Sequence, residues 1–150
     1  MITPETERII DLLSKKLTLL EEVLEYSKEQ RGLTFQKNSL KYNNLIESRA
    51  KCLEDLGKLE VVLERSLNRE NVKIINDSGF QERLYELNSH ITDTLKMIIE
   101  LDKENKERML KERAELKSKL HIVHKGQRGV AGYKGNNQFT AAGIFTDNKG

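Results

Sequence analysis

The side chains best suited to chemistry are few. Cys52 is the single cysteine, and His121 and His124 stand three residues apart. On a helix, that spacing sets two imidazoles on neighbouring turns, which is half of a metal site. The other half needs a third donor, ideally a carboxylate, and a structural zinc centre usually adds cysteine. Cys52 is distant in sequence and sits on an apolar stripe, so both histidines read as solvated, and no metal is expected. His90 reads as a satisfied side chain on a helix face. A nucleophilic thiol needs a base and surroundings that lower its pKa. Arg49 and Lys51 lie near Cys52, but no cleft is implied, and the thiol reads as core or half-buried. Gly126, Gly129, Gly132 and Gly135 recur every third residue. Four such repeats without proline make no collagen helix, and no Gly-Lys-Ser/Thr end marks a phosphate loop. Carboxylates are plentiful, but helical surfaces always present Glu pairs. The chain reads as a non-enzyme without a cofactor.

The elements that position these residues are helices. The 150 residues amount to one domain, with 37% hydrophobic residues, 33% charged, 5% aromatic and a single proline, Pro4. Long helices and coiled coils have such a composition. The net charge of +2 demands neither nucleic acid nor an anionic membrane. Met97-Ile98-Ile99 and Val61-Val62-Leu63 are the longest apolar runs, far short of the ~18 residues of a spanning helix. No basic or apolar leader opens the chain, and a lone cysteine suits a reducing compartment, so the cytoplasm is expected.

A first helix is expected from Thr3 as N-cap to about Arg31. Ile10, Leu13, Leu17, Leu20 and Leu24 form one face, and Ile9, Leu12, Leu19 and Val23 widen it. Gly32 is expected as a left-handed stop in a Schellman turn with Leu33. Thr34 to Lys37 reads as a connection, with Asn38 or Ser39 capping a second helix. That helix carries Tyr42, Leu45, Ile46, Leu53, Leu56, Leu59, Leu63 and Leu67, with Arg49 and Glu60 interrupting the heptads. Gly57 costs it ~1 kcal/mol relative to alanine. It fades near Asn68, before a loop from Asn71 to Asp77.

Ser78 and Gln81 fit a capping box. The third helix then shows Phe80, Leu84, Leu87, Ile91, Leu95 and Ile98 on one face and meets no stop until Gly126. At ~68 Å it outruns a hairpin of helices of ~42–46 Å. Twelve of the eighteen residues from Asp102 to Lys119 are charged. Pairs such as Asp102/Lys106, Glu104/Arg108, Glu107/Lys111 and Glu115/Lys119 would hold that stretch helical in water. Met109, Leu116, Leu120 and Val123 still share roughly one face, with Leu110 and Ile122 beside them. An apolar stripe left over in this way is a candidate binding surface. The expected fold is therefore all-α: a helical domain over residues 1–125, with a hairpin plus a long third helix, then a flexible Gly-rich tail over 126–150. Six of the nine glycines fall in that tail, together with Tyr133, Phe139 and Phe145.

The helix ending Gln30-Arg31-Gly32-Leu33, the turn, and the run Asn38-Ser39-Leu40-Lys41-Tyr42-Asn43-Asn44-Leu45-Ile46-Glu47-Ser48-Arg49 resemble FlgN-type flagellar export chaperones. The continuation Leu53-Glu54-Asp55-Leu56, the long third helix and the tail ending Phe145-Thr146-Asp147-Asn148-Lys149 are similar to that family as well. FliT-type chaperones share the hairpin on shorter chains. The resemblance implies a cytoplasmic protein that binds the C-terminal helical segment of hook–filament junction proteins and keeps them from self-associating. It also implies delivery of these clients to the type III export gate. The client-binding positions it implies are Met109, Leu116, Leu120 and Val123, with Tyr133 docking on the export gate. No nucleic acid and no membrane insertion are expected, and the protein is expected as a monomer or weak homodimer. Two other readings stay open: a coiled-coil scaffold that self-associates through its third helix, and a nucleic-acid accessory protein using the basic Gly-rich tail.

Overall fold

A computed structural model of the chain describes residues 4–70 and 77–127. They form three helices: α1 (Pro4–Arg31), α2 (Phe35–Glu70) and α3 (Ser78–Gln127). There is no strand among the described residues, and the fold is an all-α three-helix bundle. The chain divides into two units, Met1–Asn105 and Lys106–Gly150. The bundle core lies in the first. No described helix is long and apolar enough to cross a membrane.

Alternating steps of three and four residues build that core. On α1 the buried row is Thr6, Ile9, Leu13, Leu20, Val23, Ser27 and Gln30. Lys16 fills its gap, half-buried, and reaches Glu60 at 2.5 Å. On α2 the row is Tyr42, Leu45, Cys52, Leu56, Leu63 and Ser66, completed by half-buried Arg49 and Leu59. On α3 it is Phe80, Leu87, Ile91, Thr94, Ile98, Leu101 and Asn105, with half-buried Leu84. This is the heptad geometry in which side chains of one helix fill the gaps of the next.

The strict spacing overrides residue type at two expected core positions. Leu53 is 42% exposed and Leu95 37% exposed, while Cys52 and Thr94 are buried in their place. One residue is a rotation of ~100°, enough to move a leucine out of a narrow seam. Arg49 does stand in the seam, but Glu60 lies outside it, on the exposed side of α2.

Ser27 of α1 meets Asp102 and Asn105 of α3, while Lys16 and Leu19 meet Glu60 and Cys52 of α2. Thus α2 runs antiparallel to α1, and Asp102 and Asn105 of α3 lie beside the C-terminal end of α1.

The helix ends depart from expectation in three ways. Gly32 is not left-handed and makes no Schellman turn. Instead, the Gly32 and Leu33 amides donate to the carbonyls of Glu29 and Gln30, both at 3.1 Å. Tightened i→i−3 bonds satisfy these last carbonyls without a positive φ. The cap of α2 is Thr34, whose Oγ1 accepts from the Lys37 amide at 3.2 Å. Asn38 leaves helical geometry (φ −133°, ψ 40°), so a first turn precedes the main body of α2. The cap of α3 is Asp77 rather than Ser78, with Oδ1 accepting from the Phe80 amide at 3.0 Å. A carboxylate satisfies that N–H and also suits the positive helix end, which a serine hydroxyl does only in part. Thr3 lies outside the described residues.

Candidate functional site

The candidate binding residues occur on the part of α3 that belongs to the second unit. At ~100° per residue, Met109, Leu116, Leu120 and Val123 fall within an arc of about 60°. Met109, Leu116 and Leu120 are half-buried, and Val123 is 49% exposed. Leu110 and Ile122, expected beside the stripe, are exposed and turned about 120° to either side of Leu116. Charged residues take the intervening places instead. Glu112 and Lys119 lie on one edge of the stripe, and Arg113 on the other. The result is a narrow apolar line between charged borders. Tyr133, the candidate gate-docking residue, lies outside the described residues.

Two of the helical ion pairs expected near this segment give way to bonds between helices. Asp102 accepts from Ser27 Oγ at 2.9 Å and pairs with Arg49, and Glu104 lies 3.9 Å from Arg31. Asn105 Nδ2 donates to the Ser27 carbonyl at 3.0 Å. Nearby, Gln30 donates to the Tyr42 hydroxyl at 3.2 Å, and the Phe35 ring stands edge-on to Tyr42. The first unit therefore ends in a polar layer drawn from all three helices. Apolar periodicity does not find Ser27, Gln30 and Asn105, because each looks like a polar gap in its pattern. The signal lies in their phase: all three keep the alternating three-and-four spacing of their rows.

Cys52 is buried, with Sγ 3.3 Å from the Leu19 carbonyl and 3.5 Å from a Glu22 carboxylate oxygen. Burial, and then the hydrogen bond and negative charge of Glu22, push its thiol up to about 11. It stays protonated at neutral pH, the opposite of an activated nucleophile. His121 is exposed, and among the described residues no three or more His, Cys, Asp or Glu gather as metal ligands do. A shallow groove between α1 and α2 has Leu19, Leu59 and Val62 for a floor and Lys15 and Lys58 among its walls. Asp11, Ser14, Thr18 and Asp55 line it as well.

The fold and surface define a helical bundle bearing an amphipathic helical face. No protein-family model matches the chain, and comparison with curated proteins and with solved structures likewise gives no match.

Proposed function

We propose that this protein is a cytoplasmic chaperone of the FlgN type for type III flagellar export. It binds the C-terminal helical segment of hook–filament junction proteins and hands them to the export gate. The observation that carries the reading is the apolar line Met109, Leu116, Leu120 and Val123 on α3, set between charged borders. A client helix with an exposed apolar face would aggregate or polymerise if left free, so that face is kept covered until export. Laying it on this line removes apolar area from water at ~25 cal/mol per Å². Ordering the partners takes back part of that gain, which leaves the complex releasable. The resemblance of the hairpin supports the same binding role. Tyr133 is assigned to the gate by resemblance alone.

A coiled-coil scaffold built on α3 is the competing reading. The test is a pull-down from a lysate of flagellated cells with the full chain and with Leu116→Asp/Leu120→Asp. Recovery of hook–filament junction proteins by the wild type only supports the chaperone. Recovery of nothing but further copies of the chain removes that reading.

A further inference from the structure

The borders of the apolar line differ in charge. Measured around α3 from Leu116, one flank holds Lys106, Arg113, Lys117 and His121, within roughly 60–140°. Lys106, Lys117 and His121 are exposed and Arg113 is half-buried. No acidic residue interrupts this flank. The other flank is mixed, with Glu112 and Glu115 set among Arg108 and Lys119.

We propose that this face selects a partner helix by charge: an amphipathic helix from another protein with Asp or Glu along one edge of its apolar stripe. The inference rests on the binding reading above and adds the chemistry of the partner. When two helices lie side by side, the residues bordering the seam of one face those bordering the seam of the other. An acidic edge laid along the exposed Lys106 and Lys117 gains attraction at both, and a basic edge meets repulsion at both. Such complementarity sets partner choice more than raw affinity.

The same charges work against a second copy of this chain. In a parallel pair, the basic flank of one copy would meet the mixed flank of the other, where Arg108 and Lys119 stand beside Glu112 and Glu115, so only part of it would find an opposite charge. In an antiparallel pair, the basic flank would lie against itself. A partner of opposite edge charge escapes both penalties.

The test uses the full chain and two synthetic three-heptad helical peptides with the same leucine stripe. One carries glutamates along one edge, and the other carries lysines at those positions. Fluorescence anisotropy should show the glutamate-edged peptide binding about fivefold tighter or more at low salt, because each of the two bordering lysines attracts one peptide and repels the other. Lys106→Glu/Lys117→Glu changes two exposed side chains, and its helicity is checked by circular dichroism. It should reverse the preference. Equal affinities, no binding of either peptide, or an unreversed preference in the variant overturns the proposal. So does a concentration-dependent homodimer that displaces the peptide. If the glutamate-edged peptide behaves as expected while no junction protein binds, the charge selection stands and the chaperone reading falls. Junction-protein binding indifferent to the double variant removes the charge selection and leaves the chaperone reading in place.

Discussion

Replacing Asp102 with alanine probes the polar layer that closes the bundle. Asp102 accepts from the Ser27 hydroxyl at 2.9 Å and pairs with Arg49, which lies in the α2 seam. Ser27 is fully buried, so losing its acceptor leaves a hydroxyl without compensation, at about 1 kcal/mol. The ion pair needs a discount, because the Asp102 side chain is 38% exposed and solvent screens it. About 1–2 kcal/mol is a fair figure for the pair, between a surface bridge and a buried one. The whole substitution should then cost about 2–3 kcal/mol, a fall of about 5–10 °C in Tm for a chain of this size. Urea unfolding followed by circular dichroism measures it. A cycle with Arg49→Met isolates the pair, with an expected coupling near 1 kcal/mol. A cost below about 0.5 kcal/mol, the ordinary range of a surface substitution, would refute the assignment of Asp102 to the bundle seam.

Three further outcomes are expected. Gly57→Ala should stabilise the protein by about 1 kcal/mol, because Gly57 is exposed within α2 and an added Cβ meets nothing within 4 Å; a lowered urea midpoint would contradict this. The raised Cys52 thiol contributes stability that is complete below its ordinary value of 9.0 and is lost as pH rises toward about 11. Wild type should therefore lose stability relative to Cys52→Ala across that window, by at most about 2–3 kcal/mol, and native Cys52 should resist alkylation at pH 8. For Asp77 the sign is opposite: the hydrogen bond from the Phe80 amide lowers its carboxyl below the ordinary 3.8. Its contribution is present above that value and lost as pH falls through the folded pKa, so the stability gap between wild type and Asp77→Ala should narrow below pH 3.8.

The three helices are legible because their apolar residues repeat at helical spacing and little interrupts them. The long α3 follows from the lack of any glycine or proline between Gly79 and Gly126. Which leucines are buried is harder to read. Leu53 and Leu95 look like core by type, but the seam is narrow and phase decides. That phase is set by Cys52 and Thr94, which propensity alone would not choose. The expected caps lie one to five residues from the observed ones, because Thr34, Asn38, Ser39, Asp77 and Ser78 are all competent cap residues. Only the tertiary path decides which one leaves the helix. The polar layer is hidden for a different reason. Asp102 has Lys106 one turn away in sequence, yet Arg49, 53 positions distant, is its partner in space. The apolar line on α3 can be read directly, since one helix's periodicity is enough to place it. Its charged border needs only the same rotation carried one step further.

The most direct measurement is isothermal titration of the full chain with the C-terminal helical segment of a hook–filament junction protein. Wild type should bind with a negative heat-capacity change, the mark of apolar burial. Leu116→Asp/Leu120→Asp should show no binding while its helical signal stays near wild type, since neither residue belongs to the bundle core. Equal binding by the double variant, or no binding by wild type, would contradict the assignment of this α3 face to a client.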